Sequence, residues 1–120
     1  MSLTIQCVTI DAHDPDALAA WWAEALDDYS VKELDDEDEA AIVPSDRGRA
    51  PAILFIRVAD DKAVKNRLHL DLTPDDRDAE VARLVAMGAT RATIGQSGDE
   101  SWVVLADPEG NEFCVLQPRK

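Results

Sequence analysis

The stretch that decides the fold runs from residue 64 to residue 117. It reads V-K-N-R-L-H-L-D-L at 64–72, then a helix-like run ending in M-G-A-T at 87–90, then W-V-V-L-A-D-P-E-G-N-E-F-C-V-L-Q at 102–117. Residues 67–72 alternate strictly, which sets Leu68, Leu70 and Leu72 on one face of a strand and Arg67, His69 and Asp71 on the other. Thr73-Pro74 and the acids Asp75, Asp76 and Asp78 then open a helix, whose apolar positions Ala79, Val81, Ala82, Leu84 and Val85 should face a sheet until Gly88 stops it. Strands are expected at 89–93, 101–106 and 112–117. The last two are joined by the turn Asp107-Pro108-Glu109-Gly110, with glycine where a positive φ is easiest. The order is βαβββ.

A weaker copy of that order opens the chain. Residues 5–11 alternate, with Val8 and Ile10 opposite Cys7, Thr9 and Asp11. Asp14-Pro15-Asp16 supplies an N-cap, a proline suited to a first helical turn and an acid near the positive helix end, ahead of a helix over 17–26. Leu18, Trp21, Trp22, Ala25 and Leu26 give this helix an apolar stripe, although neighbouring Trp21 and Trp22 cannot both face the core. Strands are expected at 29–33, 40–44 and 52–58, separated by the acidic run 35–39, read as a solvated turn, and by a loop at 45–51. Sliding the chain by 62 residues lays Asp14 on Asp76, Asp16 on Asp78, Ala17 on Ala79, Trp22 on Leu84 and Cys7 on His69. The reading is one domain over 1–120, made of module one at 4–60 and module two at 64–118.

The bulk composition narrows the function classes. A chain of 120 residues with 46% hydrophobic content can bury one core. Its 25 acidic against 12 basic residues give a formal charge of −13, a surface that repels phosphate backbones and anionic headgroups, so neither nucleic acid nor a membrane is an expected partner. No apolar run approaches the roughly 20 residues needed to cross a bilayer, and no export signal is apparent, so a cytoplasmic protein with reduced Cys7 and Cys114 is expected.

With N-R-L-H-L-D-L at 66–72, D-P-E-G-N-E-F-C-V-L at 107–116 and D-P-D-A-L-A-A-W-W-A-E-A-L at 14–26, the chain resembles the vicinal oxygen chelate superfamily, in particular its short glyoxalase-like and bleomycin-resistance members. The resemblance covers nearly the whole sequence. It implies an α+β fold in which two βαβββ modules form a cupped, barrel-like mixed sheet with helices on the outer face. It also implies, in metal-dependent members, a divalent ion held by His, Gln and Glu from the first and last strands of each module. His69 falls on the family's histidine of module two. The equivalent place in module one falls on Cys7, or on Gln6 with a slip of one. Cys114 stands where those relatives carry a glutamate, four residues after the turn glycine, and Ile53-Leu54-Phe55-Ile56-Arg57 offers no acid or imidazole.

The expected ligand pocket comprises Cys7, Thr9, Arg67, His69, Asp71, Trp102 and Cys114, with His69 the candidate catalytic group. No cofactor or standard metal is expected. A hard ion wants several oxygen ligands, which leaves at most a weak divalent site, or a softer Zn²⁺ arrangement of Cys7, His69 and Cys114 with an open fourth position. His69 and Asp71, two apart on one strand, suit a proton-transfer pair; alternatively Arg67 pairs with Asp71 and His69 makes one structural hydrogen bond. Phe55 and Phe113 read as core and His13 as a surface residue.

The resemblance implies a small-molecule-binding protein lacking the standard divalent-metal site. Its alternatives are a lyase, isomerase or dioxygenase using His69 with an unusual metal, and a resistance protein that sequesters a cationic drug. Standard glyoxalase-type lyase activity is disfavoured. A homodimer is the expected assembly, because exposed sheet edges need covering. The loops at 45–51 and 95–100 should set selectivity.

Overall fold

The computed structural model describes residues 2–46, 48–92 and 101–118. Position 93, expected at the end of a strand, and the loop at 95–100 lie outside them. The chain divides into two compact units, residues 1–61 and 62–120. Each contains one helix and a four-stranded mixed sheet.

Unit one runs β1 (Cys7–Ala12), α1 (Pro15–Ala25), β2 (Tyr29–Lys32), β3 (Glu39–Pro44) and β4 (Ala52–Arg57). Its sheet order is β1-β4-β3-β2, with β1 parallel to β4 and the other pairs antiparallel. Helix α1 begins where Asp14 accepts the Ala17 amide at 3.1 Å, with Pro15 in the first turn, where a missing amide hydrogen costs nothing. It buries Pro15, Leu18, Ala19, Trp22 and Ala25 and packs against β2, β3 and β4. Trp22 is the packed member of the tryptophan pair. Trp21 is half-buried and meets it edge-to-face, with ring centroids 5.0 Å apart. Asp28 turns the chain into β2 at φ 68°, a conformation Asp tolerates, and its carbonyl accepts the Ser45 amide. Phe55 and Ile42 are fully enclosed. Residues 35–38 of the acidic run are exposed, as expected, whereas Glu39 is half-buried and opens β3; the Asp36 carboxylate accepts the Asp38 amide, while Arg57 pairs with Asp38 and donates to the His13 carbonyl. His13 is half-exposed, its Nε2 3.1 Å from Asp61 and 2.8 Å from the Asp60 carbonyl.

Unit two repeats the plan with β5 (Asp71–Leu72), α2 (Arg77–Ala86), β6 (Thr90–Arg91), β7 (Val103–Ala106) and β8 (Glu112–Val115), in sheet order β5-β8-β7-β6 with β5 parallel to β8. Asp76 caps α2 through the Ala79 amide at 3.1 Å, and Gly88 follows the helix at φ 112°. Phe113 is core, as its sequence context implied.

Two expectations for this unit are corrected. The strand expected over 67–72 is confined to 71–72. The Asp71↔Cys114 register would set Leu68 against Asn111, which already belongs to the turn, so Arg67 and Leu68 have no strand to pair with. Leu68 is accordingly 86% exposed, despite its alternation with Leu70 and Leu72. In α2 only Val81 and Leu84 are buried, whereas Ala79, Ala82 and Val85 are exposed. The buried face spans one turn because the helix packs on β8, next to a β5 of two residues.

The β7–β8 turn closes as its sequence implied, with Gly110 at φ 92° and its amide bonded to the Asp107 carbonyl. Its organiser is the Asp107 carboxylate, which is buried and accepts from the Glu109 amide (2.9 Å), the Asn111 amide (3.0 Å) and the Asn111 side chain (3.0 Å).

Candidate functional site

Parallel pairing of β5 with β8 builds the chemical centre of unit two. Asp71 lies directly beside Cys114 in the ladder, so their side chains share a face, and the His69 side chain, just ahead of the strand, reaches the same two groups. The His69 Nε2 is 3.2 Å from the Asp71 carboxylate. One ligand atom from each of His69, Asp71 and Cys114 lies within 4.8 Å of the other two. The sulfur is the buried corner, while the His69 and Asp71 side chains remain 38% and 53% exposed. Phe113 and Val115, on the opposite face of β8, are buried.

Burial pushes the Cys114 thiol upward from its ordinary pKa. The Asp71 charge and the hydrogen bond to Asp71 push it further, against a smaller opposing effect of Lys65. Burial and the Asp71 charge therefore both oppose thiolate formation at Cys114. Of the two pairings open for Asp71, the carboxylate meets His69; Arg67 is exposed and forms no ion pair with it among the described residues. Trp102 is 41% exposed immediately before β7.

Cys7 and Thr9 occupy the equivalent strand of unit one, with Cys7 Sγ 3.8 Å from Thr9 Oγ1. The β1–β4 register sets Thr9 beside Leu54, so the counterparts of His69, Asp71 and Cys114 are Cys7, Thr9 and Leu54. Unit one therefore carries neither carboxylate nor imidazole at these places. It offers instead an open cleft of about 370 Å³ bordered by Gln6, Gly48, Arg49 and Ala52, beside the loop expected to set selectivity.

Sequence reasoning missed one functional support. Glu112, at the start of β8, accepts the Asn66 amide at 2.8 Å and pairs with Lys62 at 2.7 Å, with the two side chains only 11% and 20% exposed. This latch ties the segment leading to His69 onto β8. Burial alone would raise the Glu112 pKa, but the bonds from Asn66 and Lys62 outweigh it and hold the carboxyl below its ordinary value. No local signal marks it, because Lys62 lies far away in sequence.

The Glyoxalase-like domain family profile matches residues 7–116, and the chain belongs to that family. Its fold is that of the glyoxalase, bleomycin-resistance and dioxygenase proteins. A family enzyme from Burkholderia phytofirmans PsJN is 21% identical, with 95% of this chain and 98% of that one covered at a TM-score of 0.68. The trypanothione-dependent glyoxalase I of Leishmania major is 14% identical, with 97% and 87% covered at 0.68. The bleomycin-binding protein of Streptomyces verticillus, solved with copper(II)-bleomycin, is 16% identical, with 99% of each chain covered at 0.61. No curated protein matches the sequence.

The residues present do not fit the hard divalent ion implied by the metal-dependent members of this fold. Such an ion prefers an oxygen-rich shell. Here the last-strand positions hold a buried thiol, Cys114, and an aliphatic side chain, Leu54.

Proposed function

We propose that the protein is a small-molecule-binding member of the glyoxalase-like family that lacks the standard divalent-metal site. The observation that carries this reading is the pair of last-strand positions: Cys114 on β8 and Leu54 on β4. Without oxygen donors there, the Lewis-acid step of the family's lyases has no support, while the His69 imidazole, the Asp71 carboxylate and the exposed ring of Trp102 remain accessible to a ligand. The formal charge of −13 favours a basic ligand through steering and complementary charge, and sequestration of a cationic drug is one form this binding takes. A homodimer in a reducing cytoplasm fits the two free cysteines and the edge strands β1 and β5.

The test is tryptophan fluorescence of metal-free protein, titrated with cationic glycopeptide antibiotics and with 2-oxo compounds. Saturable quenching that weakens on Trp102→Ala supports the proposal. Turnover of a 2-oxoaldehyde thiol adduct on addition of Mg²⁺, Mn²⁺ or Ni²⁺ overturns it. One observation favours a second reading, an enzyme using His69: the 3.2 Å contact with Asp71 would orient the imidazole for proton transfer.

A further inference from the structure

We propose that the open cleft of unit one is a binding site for a small monocarboxylate, with Arg49 as its anion-binding group. Sequence and register explain why the cleft exists. The ladder between the parallel strands β1 and β4 starts at Cys7↔Ala52, so residues 5–6 and 50–51 run side by side ahead of it. Pro51 has no amide hydrogen with which to extend that ladder, and its carbonyl already accepts the Tyr29 hydroxyl at 2.8 Å. The two segments therefore stay unpaired and border a cleft of about 370 Å³, at the small end of the range for ligand pockets.

The lining fits one chemistry. Ile5, Ala50 and Pro51 supply an apolar wall, of which Ile5 is 76% exposed, and Gln6 and Arg49 supply the polar groups. The Arg49 guanidinium makes no ion pair or hydrogen bond among the described residues, although the chain has 25 acidic side chains. The acid nearest in sequence, Asp46, is engaged otherwise: its carboxylate accepts the Gly48 amide at 3.0 Å and its carbonyl accepts the Arg49 amide at 3.1 Å. The Ser45 amide is bonded in turn to the Asp28 carbonyl at 3.0 Å. These ties order the backbone at Arg49 before a ligand arrives, which lowers the entropy cost of binding. A guanidinium presents a planar fork to the two oxygens of a carboxylate, and the Gln6 side-chain amide is a further donor. The apolar wall suits an aryl or short alkyl tail. With Arg49 the one cation among the described lining residues, a second carboxylate would lack a partner and face a chain of formal charge −13. The site uses none of His69, Asp71 or Trp102, so it stands or falls separately from the ligand binding proposed above.

The experiment titrates the reduced, nitrogen-15-labelled full chain at pH 7 with benzoate, benzamide, benzylamine and phthalate, following backbone amide shifts. The expected result is saturable benzoate binding, with a dissociation constant on the order of 1 mM and shifts centred on Gln6, Arg49, Ala50 and Ala52. Benzamide and benzylamine should not saturate, and phthalate should bind more weakly. Arg49→Gln, at an exposed position where folding is not at stake, should weaken benzoate by about tenfold or more, as expected for loss of a charge-assisted hydrogen bond. Arg49→Lys keeps the charge without the fork and should fall between the two. Absence of saturation, benzamide or phthalate binding as tightly as benzoate, unchanged affinity in Arg49→Gln, or shifts centred on Asp71 and Cys114 would each overturn the proposal. Tryptophan quenching by cationic antibiotics, measured on the same protein, keeps the outcomes separate, since either binding event can fail while the other persists.

Discussion

Asp14 and Asp76 make the same hydrogen bond in two copies of one plan. Each is an N-cap whose carboxylate oxygen sits 3.1 Å from the amide three residues on, Ala17 in one helix and Ala79 in the other. Replacing either by alanine leaves a first-turn amide without its acceptor. Asp14→Ala and Asp76→Ala are each expected to cost about 0.5–2 kcal/mol in urea unfolding, and substitution by Asn or Ser should recover most of the loss.

The Glu112 latch gives a pH signature. Its folded pKa lies below the unfolded one, so its stabilisation is complete above the ordinary glutamate range and is lost as pH falls through the folded pKa. Glu112→Gln keeps an acceptor for the Asn66 amide but not the charge facing Lys62. It should destabilise the protein by about 1–3 kcal/mol at pH 7, with the gap from wild type closing under acid. Chemical denaturation at pH 7 and at pH 3.5 checks both, and an equal gap at the two pH values would contradict the assignment.

The turn before β8 separates two costs. Gly110→Ala has space, because an added Cβ would meet nothing closer than Lys62 Cδ at 3.9 Å, but it must hold φ +92°, which should cost about 1–2 kcal/mol. Asp107→Ala instead strands the amides of Glu109 and Asn111 around a buried site, at about 1–3 kcal/mol. Thermal unfolding of Asp107→Asn, which retains one acceptor oxygen, should fall between Asp107→Ala and wild type.

The two thiols should differ in reactivity. Cys7 is partly exposed, while Cys114 is 4% exposed with its pKa raised chiefly by burial. In native, metal-free protein a disulfide reagent should label one thiol promptly, and Cys7→Ser should remove that phase. Equal rates for both thiols would show that the β5–β8 pairing does not cover Cys114.

Much of this was legible in the sequence, for reasons that differ by element. The start of α1 is legible in Asp14-Pro15 and the β7–β8 turn in Asp107 and Gly110, because capping and positive-φ chemistry are local, whereas 73–78 signals a helix start without saying that Asp76, and not Thr73, is its cap. Alternation at 67–72 says nothing about whether a partner strand extends that far, and β8, beginning at Glu112, leaves Arg67 and Leu68 without one. The buried face of α2 was overread for a related reason: alanines at helical spacing fit a core or a surface equally well, and Ala79 and Ala82 are on the surface. The spacing of His69 and Asp71 announced a shared face, and Cys114 was already a pocket candidate. That Asp71 and Cys114 are neighbours across a ladder is a matter of register, which no single stretch of sequence encodes.

The ladder between β5 and β8 is only two residues long, and its strands are separated by the thirty-nine residues between Leu72 and Glu112. Chain-closure entropy makes such a pairing late to form, and a short edge makes it early to open, so the Leu72 and Leu116 amides should exchange with deuterium well before those in the middle of the sheet. Anything bound between His69 and Cys114 would act as a clasp on one of the two short edge seams of this unit, and occupancy would then be readable as slowed exchange along that single edge.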